Sequence, residues 1–445
     1  MMKKRIKLLS NVLSLGLLCC AVGCQSPEVE ESGVGQIVLQ QKQYITFLDD
    51  ADDTVALDYH VYDNGILQEN AKVSFEVEDS SIVEMNGGEI VAKEIGKTNV
   101  KVQYKKASAT AEVSVVGKVT AEQVNSFDEK YVNLFGRVYT QDGKLCFDHP
   151  ATAIETMIEG TSLSAEIFAN AELYVWVMVD GERHERIKIT PDKTTYTLVN
   201  GLTAGRHTIR IVNSSEGHLG QICIGTLSAD KFYAVPEKSD FSIEFIGDSI
   251  TAGYGSIGVK GEARTAKNSD ACSTYAYFSA EKLGVDYSTV AVSGICVSAD
   301  IWNTGVNMET VYSQKTVLNP SSYDFKKQPN VIVLNLGTND ASYLAQNPSY
   351  GAQFPYDYVR FLQYIRAKNP NAYILCLYGF ATENTTISNG IEAAVQEMND
   401  SKIRYLSEGF SGDGSGVNGH PPVGAQRRWG DTLAAYIQKL MYLEN

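Results

Sequence analysis

This chain of 445 residues lacks the signatures of several common chemistries. No Cys-x-x-Cys pair is present, so its eight cysteines do not have the spacing of a zinc site. Gly96-Lys97-Thr98 is without the glycine five residues earlier that a phosphate cradle needs. His184-Glu185 has no second histidine four residues after the first, and no serine sits in a full Gly-x-Ser-x-Gly elbow. Basic residues are scarce, 38 against 53 acidic. Without the four cations of the first 23 residues the net charge falls from −15 to −19, a surface that repels phosphate backbones and excludes nucleic acid as a partner. Histidine is scarcest where it matters: of six, only His420 lies beyond residue 240.

What is present is globular, with 44% apolar and 20% charged residues and enough length for two to four domains. The N-terminus reads as targeting rather than fold. Lys3, Lys4, Arg5 and Lys7 precede the short apolar stretch Leu8 to Leu18, and Ala21-Val22-Gly23-Cys24 follows. This segment resembles a bacterial lipoprotein signal, with Ala21 where leucine is usual. The resemblance implies removal of residues 1–23, lipidation of Cys24, and a cell-envelope protein held to the membrane by a lipid anchor, facing the periplasm or the cell surface. Residues 24–35 then form a polar tether. Of the other cysteines, Cys376 sits in an apolar run and reads as a buried thiol, and a Cys146–Cys223 bridge is compatible with an exported protein.

The pattern divides the rest into three domains. Residues 36–116 alternate in short strands separated by turns such as Asn86-Gly87-Gly88, which predicts a β-sandwich. The run from Ser80 through Met85, Gly88 to Ala92 and Gly96 to Thr98 resembles a bacterial immunoglobulin-like repeat, implying a spacer. Residues 130–232 are also β-rich, with strands expected at Leu173 to Val179, Thr194 to Leu198 and His207 to Val212, and read as a jelly-roll-like sandwich. From 241 to 445, apolar runs alternate with helical segments, the pattern of a three-layer α/β domain around a parallel sheet. Ligands of such sheets bind at the carboxyl ends of the strands.

Four stretches of this last domain carry chemistry: Gly247-Asp248-Ser249-Ile250-Thr251, Val292-Ser293-Gly294, Gly337-Thr338-Asn339-Asp340 and Gly419-His420-Pro421. Ser249 should follow a strand and start a turn into irregular chain, exposing its hydroxyl. A serine hydroxyl needs a base to become a nucleophile, and the only histidine available is His420. Acyl transfer also develops an oxyanion, for which Gly294 offers a close backbone N–H and Asn339 a side-chain amide. Trp302, in a loop-rich stretch after Gly294, is the first candidate for stacking on a sugar ring; Tyr254, Tyr343 and Trp429 are others, although core packing is the stronger reading for each of the four.

These blocks, in this order, resemble the SGNH/GDSL hydrolases. Ser249, Gly294, Asn339 and His420 stand at that family's four signature positions. Phe135-Gly136-Arg137, Ile158 to Leu163, Val179-Asp180-Gly181 and Leu202 to His207 resemble the jelly-roll that precedes the hydrolase in carbohydrate esterase family two. The resemblance covers roughly residues 130–445. It implies a serine esterase, without metal or cofactor, that removes O-acetyl groups from hemicellulose polysaccharides or oligosaccharides, with the oxyanion held by Ser249, Gly294 and Asn339. A lipid or aryl esterase of the same superfamily and a non-catalytic carbohydrate-binding lipoprotein are the alternatives. One position departs from the pattern: Val417 stands three residues before His420, where the superfamily carries aspartate. Either a Ser249–His420 dyad works with a backbone carbonyl orienting the imidazole, as in members of the resembled family, or another acid substitutes, Asp413 being the nearest in sequence.

Overall fold

The structure is a computed structural model and describes residues 35–40, 43–48, 54–117, 121–301, 304–381, 383–410 and 412–443. The expected signal peptide, Cys24, the tether up to residue 34, and Trp302 lie outside the described residues.

Strands from Gly35–Leu39 to Ala107–Gly117 build three small sheets of three, four and three strands. Alternation decides their faces. Thr98, Val100 and Val102 point inward from Gly96–Tyr104 and lie opposite Val113, Ala111 and Ala109 of the next strand. Val100, Val102, Ala111 and Val113 are fully buried in one apolar core.

Residues 121–233 form a ten-stranded sheet. It starts earlier than the expected residue 130, because Ala121–Asn125 pairs with Ile222–Tyr233. One strand, Ala153–Ala169, pairs with four others, which requires it to bend. The bend falls at Gly160, whose φ of +138° and whose approach to Asp230 leave no room for a side chain, and the register breaks between Glu159 and Leu163. The sheet thereby closes around its own core of Ile154, Ile167, Val175, Ile211 and Ile224. Cys146 lies opposite Cys223 across an antiparallel pair and the two are disulfide-bonded; Cys272, Cys296 and Cys376 are buried free thiols.

The last domain has five parallel strands in the order Asp286–Ala291, Ser242–Gly247, Val331–Asn335, Tyr373–Leu377 and Ile403–Tyr405. Their near-continuous apolar runs are explained by burial on both faces. Phe245, Val331, Val333, Leu375 and Leu377 meet the helices Tyr275–Leu283 and Val423–Leu443 on one side. Ile246, Ile332, Leu334, Ile374 and Cys376 meet Tyr350–Lys368 and Thr385–Met398 on the other.

The middle domain shares the first of these cores, contributing Phe135, Ala153, Met178 and Val212. It also inserts Arg137, which is 1% exposed and pairs with buried Glu244 at 3.1 Å while donating to the Tyr312 carbonyl at 2.7 Å. Removing either partner of an ion pair this deep would leave an uncompensated buried charge, so the contact between the two domains is costly to break.

Candidate active site

Ser249 follows the interior strand Ser242–Gly247, second of the five. Where irregular chain was expected, the serine opens a helical turn, Ser249–Ala252. Asp248 caps the turn by accepting from Ile250 N at 3.0 Å, and Gly253 ends it with a left-handed residue. Gly247 makes the strand-to-helix turn tight: a Cβ there would stand 2.0 Å from Thr251 Oγ1. The Ser249 hydroxyl is thus held at the carboxyl edge of the sheet.

His420 comes from the far end of the chain, in the loop before the last helix. Its Nε2 lies 2.8 Å from Ser249 Oγ, across 171 residues of sequence. Its Nδ1 lies 3.2 Å from the Val417 carbonyl. A carbonyl only accepts, so Nδ1 carries the proton and Nε2 presents its lone pair to the serine. Asp413 makes its contacts away from the imidazole. Its carboxylate accepts from Ser415 N at 3.1 Å and faces Arg428 at 3.4 Å, and these contacts lower its pKa, the Ser415 hydrogen bonds most. Val417 is fully buried, and a Cβ added at Gly255 would meet its Cβ at 2.6 Å; its side chain therefore packs on that turn while its carbonyl faces the imidazole.

Asn339 is the second residue of the helix Thr338–Gln346, which follows the neighbouring strand. Its amide donates to the Ile295 carbonyl at 3.0 Å, tying this block to the turn that holds Gly294, and stands 3.4 Å from Asp248 Oδ2. The second contact is weak enough for that N–H to turn toward a developing anion. Gly294 has a φ of +82°, a conformation that favours glycine. Two carboxyls lie beneath these groups. Burial, with the Asp340 charge adding, raises Asp248 to about 7; burial likewise raises Asp340 to about 6, although Tyr350 and Val297 donate to it.

Tyr254 stacks on the imidazole with ring centroids 4.1 Å apart and planes inclined by 19°, so the ring is neither core nor freely available to a sugar. The Arg264 guanidinium lies over the Tyr254 ring, 4.9 Å from its centroid. Burial lowers the His420 pKa; the Glu216 charge opposes that and the Arg264 charge adds to it. Trp429 is buried against Phe380 in the core, and Tyr343, partly buried, packs edge-on to Tyr350 at the core's margin. Glu216 and Arg264 escaped the sequence reading because neither lies in a recognisable block. A cavity of 460 Å³ opens elsewhere, among Tyr44, Phe135, Glu155, Arg210 and Tyr287, but it holds no nucleophile–base pair.

A serine–histidine pair at the carboxyl edge of a parallel sheet, with a glycine turn and an asparagine block converging on it, defines a serine hydrolase of the SGNH/GDSL class. Residues 245–435 match the GDSL-like lipase/acylhydrolase family, and residues 134–236 match the carbohydrate esterase 2 N-terminal domain. The chain therefore carries a GDSL-like acylhydrolase domain preceded by a carbohydrate esterase 2 N-terminal domain. It is 29% identical over 299 residues to the cellulase/esterase CelE of Acetivibrio thermocellus, covering 64% of this chain but 36% of that protein. It is 24% identical over 333 residues to an acetylxylan esterase / glucomannan deacetylase of Cellvibrio japonicus, covering 70% of this chain and 90% of the relative. A solved family two carbohydrate esterase from Clostridium thermocellum, in complex with cellohexaose, superimposes with a TM-score of 0.65 at 26% identity, over 70% of this chain and 99% of that one.

Proposed function

We propose that the protein removes O-acetyl groups from hemicellulose polysaccharides or their fragments through an acyl-enzyme on Ser249. The observation that carries this is the 2.8 Å contact from Ser249 Oγ to His420 Nε2, backed by the Val417 carbonyl at Nδ1. His420 Nε2 takes the serine proton as Oγ attacks the acetyl carbonyl. The backbone N–H groups of Ser249 and Gly294 and the Asn339 amide hold the oxyanion. The imidazolium then protonates the departing sugar oxygen, leaving acetyl-Ser249. Water, deprotonated by His420, attacks the acetyl group and releases acetate. The Val417 carbonyl keeps the tautomer and offers its dipole to the cation; no carboxylate is required for either task.

The printed names of the relatives, acetylxylan esterase and glucomannan deacetylase, support this substrate class. The N-terminal strands act as an immunoglobulin-like spacer and residues 121–233 as the jelly-roll, with a lipid on Cys24 holding the protein to the bacterial envelope. Acetate release from acetylated xylan and acetylated glucomannan, by wild type and Ser249→Ala, tests the assignment. Release by wild type alone is expected; no release by folded wild type overturns it.

A further inference from the structure

Glu216 belongs to the middle domain, in the connection between strands Arg206–Asn213 and Ile222–Tyr233, yet its side chain is fully buried against the hydrolase domain. The connection is bolted in place. Asn213 donates to the carbonyls of Asp148 and His149 at 2.9 and 3.0 Å, and Ser215 N donates back to Asn213. Ser214 donates to Asp270 at 2.9 Å, and Ala271 N donates to the Ser214 carbonyl at 3.0 Å, both from the hydrolase side. At Gly217 a Cβ would meet Val317 at 3.0 Å and the Asp148 carbonyl at 3.1 Å, so the chain passes where a side chain is not accommodated.

Held this way, the Glu216 carboxylate has two partners that bear on the reaction. Oε2 accepts from the hydroxyl of Ser293, the residue next to Gly294. Oε1 lies 3.5 Å from Arg264 Nε, and Arg264 also reaches His218 Nε2 at 3.0 Å. Arg264 lies over Tyr254, and Tyr254 stacks on His420. One buried carboxylate therefore touches the turn that offers the Gly294 N–H and, through Arg264, is linked to the aromatic platform of the base.

We propose that Glu216, supplied by the neighbouring domain, is a positioning residue of the esterase: it fixes the Ser293–Gly294 turn and, through Arg264 and Tyr254, the plane of the His420 ring. This rests on the esterase reading above. The middle domain is then a part of the catalytic unit and not only a platform for it. Nothing in the transition state bonds to Glu216, so its loss should slow the chemical step while leaving substrate binding nearly unchanged.

The test uses the purified protein with 4-nitrophenyl acetate, comparing wild type, Ser249→Ala, Glu216→Ala, Glu216→Gln and Ser293→Ala. Glu216→Ala is expected to lower kcat about a hundredfold with KM within about threefold, the scale of a small misplacement of reacting groups. Glu216→Gln keeps an acceptor for Ser293 but removes the charge, so kcat falls about tenfold and the acid limb of the pH–rate profile moves to lower pH. That shift follows because Glu216 and Arg264 act on the imidazole with opposite sign and the variant leaves the cation unopposed; His218, which faces both at 3.9 and 3.0 Å, has its own pKa lowered by burial and adds no cation at neutral pH. Ser293→Ala is expected to lose about tenfold in kcat, with some loss of thermal stability because buried Glu216 Oε2 is left without its donor. Should Glu216→Ala fail to fold, the glutamine and Ser293 variants decide. Wild-type kcat and pH profile in those two overturn the proposal while leaving the esterase intact; an inactive, folded wild type overturns both.

Discussion

The Val417 carbonyl stands 3.2 Å from His420 Nδ1, in the place where a triad would put a carboxylate. The peptide oxygen satisfies the one geometric requirement of the base, a proton on Nδ1 and a lone pair on Nε2. It carries a dipole and no full charge, so the imidazolium is stabilised less than by an aspartate, and stacking on Tyr254 supplies part of the ring's orientation.

Asp413→Ala should keep kcat within about threefold of wild type, because its carboxylate is spent on Ser415 and Arg428. A hundredfold loss, measured as initial rates of acetate release at neutral pH, would contradict the dyad.

Installing the missing acid should fail. Val417→Asp buries a carboxylate against the turn at Gly255 and Gly258, where the Val417 side chain packs, while the imidazole faces the opposite, carbonyl side. Roughly 3 kcal/mol or more of stability is lost with no gain in kcat. Urea denaturation and steady-state rates of the variant check this together; a faster enzyme would sink the argument.

Asn339→Ala should lower kcat by about 10²–10³, the value of one preorganised oxyanion donor, with KM little changed. Single-turnover rates separate this from a binding defect. Loss confined to KM would place Asn339 in substrate binding instead.

The acid limb of kcat/KM should lie below about 6.5, the ordinary value of histidine. Burial lowers the His420 pKa, and the base works only when neutral, so activity persists to lower pH than a solvated imidazole would allow. A limb above pH 7 would mean that some other group gates the reaction.

His149 links stability to pH in a defined direction. It is fully buried in the middle domain, neither nitrogen finds a protein partner among the described residues, and burial, with the Arg137 charge adding, lowers its pKa to about 3. The folded state keeps it neutral, whereas the unfolded chain takes up a proton below about 6.5. Its contribution is present above pH 6.5 and is lost as pH falls toward 3. Between pH 7 and 5 the cost is about 2 kcal/mol, and His149→Leu should lose that much less on acidification in urea denaturation. Equal losses in both proteins would refute the assignment.

Much of this was legible along the chain. Alternation at Thr98 to Tyr104 and Leu173 to Val179 announced strands, because one face of each is buried and period two is the only way to serve it. The apolar runs after residue 241 announced a sheet covered on both sides. Counting histidines singled out His420, since a base must be histidine here and the last domain has one. The pairing of Ser249 with His420 was thus readable, although 171 residues separate them. The helical turn at Ser249 was not, because four residues around a cap carry too little periodic signal.

The tertiary structure alone decided what orients the base and what surrounds it. A backbone carbonyl is the same in every residue, so nothing in the letters around Val417 marks its oxygen as the partner of Nδ1; only the path of the loop over Gly255 turns it inward. Asp413, nearest in sequence, lost to that oxygen because proximity along a chain does not fix direction in space. Glu216 and Arg264 belong to different domains and reach the site only when the middle sheet docks, so the charges around the imidazole are a property of the packed interface and of no local motif. Residue identity sets which groups can do the chemistry, whereas packing sets which of them are close enough to act.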